Sequence, residues 1–156
     1  MGVFLANPSE DKILLGQRKD SGLFGLPGGW LENGEEWEDC ASRELKEETG
    51  LVKQPSTFSH VHTLNCKFVE FNYHNISCIM YNEVNDSEVN LIKNTEPEKC
   101  AGWTWVTFKE LRNQIHTLFY PLRDFLGKFP DLTNVSYLKN MIKKTPNTLD
   151  LNNHQI

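Results

Sequence analysis

Glu44, Glu47 and Glu48 are the residues of this 156-residue chain whose type and spacing point most directly to chemistry. If the segment around them is helical, steps of about 100° place all three within an arc of about 100°. Trp37, Ala41 and Leu45 occupy the adjoining arc, while Glu38, Ser42 and Lys46 point the other way. One side of the helix is then half apolar and half acidic. Like charges three and four residues apart oppose a helix by about 0.2–0.5 kcal/mol per pair, and partial burial adds to the penalty. A divalent cation held by oxygen ligands removes that conflict, so the stripe reads as a metal site. A Glu-rich surface helix is the plainer reading, and the carboxylates alone do not choose between the two.

The flanking residues must position this helix. Phe24-Gly25-Leu26-Pro27-Gly28-Gly29 reads as a strand end and a turn whose glycines let backbone approach a ligand. Asn33-Gly34 turns into the helix, and Glu35 and Glu36 suit its positive N-terminal end. Thr49-Gly50 ends it, with Gly50 suited to a left-handed C-cap. Upstream, residues 2–6 and 12–16 read as two strands joined by a turn, and Arg18 or Lys19 in the loop that follows could meet a phosphate. Downstream, 58–65, 67–72 and 75–82 read as strands, 83–95 as a polar excursion, and 102–106 as a short strand with two tryptophans on one face. Thr107-Phe108-Lys109-Glu110 is a capping box opening a helix to about residue 115. Pro121 begins another over 122–128, and 135–142 has the pattern of a weak terminal helix. Strands interleaved with helices predict an α/β/α sandwich around a mixed β-sheet. The expected organisation is one domain over 1–144 and a disordered C-terminal tail over 145–156.

The net charge of −5 argues against long nucleic acid as a partner, which would call for a basic face. No apolar run reaches membrane length and no signal peptide is evident, so a cytoplasmic protein is expected. Cys40, Cys66, Cys78 and Cys100 lack metal-binding spacing and are expected to stay reduced. Nothing local suggests a covalent nucleophile: there is no GxSxG, no Cys–His motif and no P-loop. Water activated at a metal site is the chemistry left standing.

Gly29, five residues, Glu35, seven residues and then Arg43-Glu44-Leu45-Lys46-Glu47-Glu48-Thr49-Gly50-Leu51 match every fixed position of the Nudix box, so the chain resembles a Nudix hydrolase. Outside the box, residues 14–19, Asn72-Tyr73-His74 and the stretch 96–106 are similar to a subgroup of small nucleoside triphosphate pyrophosphohydrolases. That subgroup includes animal nucleotide triphosphate diphosphatase 15 and plant Nudix hydrolase 1. The resemblance implies a Nudix fold, a homodimer, and a pyrophosphohydrolase that uses Mg²⁺, with Mn²⁺ as a substitute, on (deoxy)nucleoside triphosphates, including oxidised guanine nucleotides such as 8-oxo-dGTP. It implies Glu44, Glu47, Glu48 and the Gly29 carbonyl as metal ligands, Glu47 and Glu48 as catalytic carboxylates, and Glu35, Arg43 and Gly50 as structural. Glu98, with Glu96 beside it, is the candidate for a further base. Arg18, Phe24, Leu26, Ser77, Phe119 and Tyr120 are the candidate substrate contacts.

Several positions depart from the subgroup. Relatives carry more residues in the first strand. Trp30 stands where the animal enzymes have His, Pro121 removes a backbone N–H, and Ala101 replaces an acidic residue. Base preference is therefore open. Another substrate (a prenyl diphosphate, dihydroneopterin triphosphate or a nucleoside diphosphate sugar) would use the same chemistry, and a non-catalytic nucleotide-binding module is the remaining alternative.

Overall fold

The structure, a computed structural model, describes residues 1–68 and 72–144. The expected tail over 145–156 lies outside the described residues. Six strands form one mixed sheet: β1 (Gly2–Asn7), β2 (Lys12–Arg18), β3 (Phe24–Gly25), β4 (Ser59–Phe68), β5 (Tyr73–Glu83) and β6 (Cys100–Val106). The spatial order is β3-β2-β1-β5-β4, with β6 also pairing β2. β1 runs parallel to β5 and antiparallel to β2.

The predicted sandwich is present, and strand alternation builds it. In β1, Phe4 and Ala6 point into one core cluster while Val3 and Leu5 point into another. The chain therefore buries both faces of β1, which is why it reads as an unbroken apolar run. One face is covered by α1 (Trp37–Thr49) through Ala41 and Leu45. The other is covered by α3 (Phe108–Asn113), α4 (Tyr120–Lys128) and α5 (Val135–Lys144), with Phe108, Phe125 and Leu138 fully buried.

Local signals explain most boundaries. Gly50 caps α1 at φ 72° with its N–H on the Lys46 carbonyl. Thr107 and Glu110 form the predicted capping box, although α3 ends at Asn113 and a 3₁₀ turn, Ile115–Thr117, follows. Trp103 and Trp105 of β6 share the α1 face. Three expectations need correction. The predicted break near Asn65 is absent, because Asn65, Cys66 and Lys67 pair with Ile76, Asn75 and His74 in the antiparallel β4–β5 ladder. The polar excursion holds a short helix, α2 (Asp86–Val89), capped by Asn85 and Glu88 and tied to Lys53 at 2.7 Å. Trp37 leaves the helix's apolar arc for the surface and contacts the His60 ring at 5.4 Å.

Candidate active site

The carboxylate stripe stands where the sequence places it, at the C-terminal half of α1 and against the Gly28–Gly29 turn. Glu48 Oε2 accepts the Gly28 N–H at 2.8 Å. Gly28 has φ 145°, and a Cβ there would strike the Met1 backbone. At Gly29 a Cβ would collide with the Glu44 carboxylate. Gly28 therefore lets the turn pass close to the chain's first residues, and Gly29 brings it closer to Glu44 than any other residue could. The Gly29 carbonyl, expected to face a metal, accepts from the Met1 nitrogen at 2.8 Å, and an ion there would share or displace that bond.

Arg43 organises the cluster. Its Nε and Nη2 donate to the two oxygens of Glu35 at 2.8 and 3.0 Å, a fork-to-fork pair. Nη1 reaches Glu44 at 2.9 Å and Glu47 at 3.3 Å, and Nη2 also holds the Trp30 carbonyl at 3.0 Å. The guanidinium holds the Glu35 carboxyl down at about 2. This revises the electrostatic argument from sequence. Part of the like-charge conflict is relieved by Arg43 itself, and the helix does not depend on a cation to form. Glu48 is left out of this arrangement. Burial pushes its carboxyl up to about 7 against the opposing Gly28 hydrogen bond, with Glu44 and Glu96 adding to the rise.

Among the described residues, no three His, Cys, Asp or Glu side chains converge into a preformed metal cage. Arg43 draws Glu44 and Glu47 toward itself, whereas Glu48 turns to Gly28. That donor set still suits Mg²⁺, which commonly uses one or two carboxylates together with waters and substrate phosphates.

The segment 93–99 locks the end of α1. The Lys93 N–H donates to the Thr49 carbonyl at 2.9 Å, the Thr95 N–H to the Glu48 carbonyl at 3.2 Å, and the Thr95 hydroxyl to the Glu47 carbonyl. The Trp103 indole N–H adds a second donor to Glu48 at 3.2 Å. This lock brings Glu96, paired with Lys99 at 2.7 Å, within electrostatic reach of Glu48. Glu98, the base candidate from sequence, is exposed.

Beside the turn lies a cavity of about 570 Å³ whose wall includes Gly28 and Gly29 but none of the three glutamates. Of the candidate substrate contacts, Arg18, Leu26, Ser77, Phe119 and Tyr120 line it, and Phe24 packs against the core. Arg18 does not present a free fork: it grips Asp20 at 3.1 and 2.5 Å and lies 4.4 Å above the Phe119 ring centroid. Tyr120 meets Phe68 edge-on at 5.1 Å. Thr63, Asn75 and Ile76 also line the cavity. Nothing local in the sequence distinguishes them from other strand residues; strand pairing gathers them. A separate cavity of about 460 Å³ beside α3 is lined by Lys109 and Arg112. The Arg112 guanidinium is already committed to the Phe129 and Leu132 carbonyls at 2.7 and 2.9 Å.

Sandwich, glycine turn and carboxylate helix together define the class of protein, and comparison with known families agrees. The NUDIX domain model matches residues 1–129. The chain belongs to the Nudix family. It is 44% identical over 57 residues to the ADP-ribose pyrophosphatase of Methanocaldococcus jannaschii, a match covering 35% of this chain and 34% of that one. The chain thus spans about a third of that relative's length. Nudix hydrolase 25 of Arabidopsis thaliana is 28% identical over 131 residues, covering 73% of this chain and 74% of its own. The solved MutT protein of Methanosarcina mazei superposes with a TM-score of 0.64 at 21% identity, covering 83% of this chain and 90% of that one, and shows the shared fold.

Proposed function

We propose that this Nudix chain is a pyrophosphohydrolase converting (deoxy)nucleoside triphosphates, oxidised guanine nucleotides included, to the monophosphate and pyrophosphate. One observation carries the reading: the Gly28–Gly29 turn is at once a wall of the aromatic-lined cavity and the contact surface of Glu44 and Glu48. A base seated in the cavity would lead its phosphates across the glycines to the acids. The subgroup similarity over 14–19, 72–74 and 96–106 supports the choice of a triphosphate and of a homodimer.

Glu44, Glu47, Glu48 and the Gly29 carbonyl would hold Mg²⁺, with Mn²⁺ as a substitute. When bound, the ion supplies neutralisation of phosphate oxygens and activation of water. The chain's own residues do the rest. Arg43 fixes Glu44 and Glu47 in place. Glu48, with Oε2 on Gly28 and a carboxyl near 7, can take a proton at Oε1 around neutral pH. In the reaction the water oxygen bonds to phosphorus, its proton passes to a carboxylate, and the phosphoanhydride P–O bond breaks with its electrons leaving on the departing phosphate. Glu98 and Glu96, on the loop before β6, are the carboxylates this reading offers to share that proton.

A pyrophosphate-release panel with and without Mg²⁺ tests the reading, using nucleoside triphosphates, a prenyl diphosphate, dihydroneopterin triphosphate and a nucleoside diphosphate sugar. Release from nucleoside triphosphates is expected. Turnover of another substrate alone would redirect the assignment, and no turnover with any of them would favour a binding module. Labelled water, located in one product by mass, then identifies the phosphorus attacked.

A further inference from the structure

Among the described residues, eight large apolar side chains are exposed, and five of them (Trp30, Leu31, Trp37, Tyr73 and Ile76) line the one cavity beside the glycine turn. Apolar surface gathered in this way marks a place that something covers. Trp30 is the extreme case. It is 72% exposed, and no described residue makes a ring contact with it. An indole left in water forgoes a large burial that the interior of a protein of this size could supply.

Its backbone is nonetheless fixed. The Trp30 carbonyl is held by Arg43 Nη2 at 3.0 Å and by the Cys40 thiol at 3.6 Å. The ring is thus carried on the same arginine that sets Glu44 and Glu47, one residue beyond the glycine turn. The cavity it borders is concave and within the range of small-molecule sites, and it contains the polar side chains of Thr63, Asn75 and Ser77. Ser77 Oγ donates to Asn75 Oδ1 at 3.3 Å, so an amide and a hydroxyl stand together where the edge of a flat ligand could meet them. Concavity, polar groups in the wall and a shared border with the carboxylate turn favour a small planar ligand over the face of another protein.

We propose that the Trp30 indole stacks on the base of the bound nucleotide and makes the site prefer purines to pyrimidines. This rests on the reading that the substrate is a nucleotide. A two-ring base covers more of an indole than a one-ring base does, and stacking scales with that overlap. Ribose and phosphates gain nothing from it.

Calorimetric titration of the product-like ligands GMP, CMP and ribose 5-phosphate, in EDTA so that no metal or turnover intervenes, tests the proposal on the full chain. Trp30→Ala is expected to weaken GMP about 10-fold and CMP about 3-fold, with ribose 5-phosphate unchanged. Trp30→Phe, which keeps a ring, should recover most of the GMP affinity. The proposal is overturned if Trp30→Ala binds GMP as the parent chain does. It is also overturned if ribose 5-phosphate weakens as much as GMP, or if the loss comes with a change of oligomeric mass in sedimentation, which would make the ring an interface residue. If the parent chain binds neither GMP nor CMP, in EDTA or in a repeat with Mg²⁺ added, the nucleotide reading itself fails and takes this proposal with it. Binding that is indifferent to Trp30 removes only the stacking role.

Discussion

Arg43 and Glu48 divide the electrostatics of the site between them. Arg43 hydrogen-bonds three carboxylates and one carbonyl and lies 3.9 Å from a fourth carboxylate, Glu32, so the acids beside it are compensated before any ion arrives. The carboxylate of Glu48, half-buried and given a hydrogen bond by the Gly28 N–H, has no arginine beside it in this way. Replacing Glu48 by Gln is therefore expected to lower kcat by about 100-fold or more while the circular dichroism spectrum and melting profile stay native-like. Near-normal turnover would remove Glu48 from the chemistry. The Glu35–Arg43 pair makes a pH prediction with a defined sign. Glu35 is held at about 2 against an ordinary 4.5, so between those values the unfolded chain binds more protons than the folded one. Its contribution to stability is complete above pH 4.5 and is lost as pH falls toward 2. Acid denaturation of Glu35→Gln should lack that component, and identical acid profiles for the two proteins would refute the pairing.

At the scale of elements, α1 is clamped at both ends of its working half. The glycine turn presses on Glu44 and Glu48 from one side, and the segment 93–99 with Trp103 takes the last carbonyls on the other. Gly29→Ala should displace the Glu44 carboxylate and cost on the order of 10²-fold in kcat with a much smaller change in melting temperature. Trp103→Phe keeps a ring but loses the donor to the Glu48 carbonyl, and is expected to cost about 1 kcal/mol in denaturant titration. The helices read from sequence are those with strong caps: the Thr107–Glu110 box and Gly50 are visible in the residues. α2 has an equally good box at Asn85 and Glu88 but no apolar run behind it, so it reads as loop. The clamp at residues 93–99 was not legible either. Its bonds come from backbone N–H groups and a threonine, which carry no local signature of their distant partners.

The whole molecule separates support from chemistry by using the two faces of its sheet. Phe125 packs on Phe4 at 5.1 Å and Phe129 at 4.8 Å, on the face away from α1. Phe125→Ala should destabilise the fold by about 3–5 kcal/mol, yet Mg²⁺ uptake measured by calorimetry below the melting range should match the parent. A parallel loss of uptake would show that the two faces are coupled. Chelation alone is expected to leave the fold standing, since the core does not pass through the carboxylates.

From the chain alone, β1 reads as a buried strand, α1 as an amphipathic helix with three acids on one arc, and the glycine turn as its neighbour. These features are written in short-range periodicity and in glycine's freedom of backbone, so they survive without knowledge of the fold. The tertiary structure decided what depends on approach between distant residues. It put Arg43 among Glu35, Glu44 and Glu47, set Glu96 within electrostatic reach of Glu48, packed Phe24 against the core and placed Trp30 at the cavity rim. Charge compensation and cavity walls are properties of three-dimensional distance, and no spacing along the sequence encodes them.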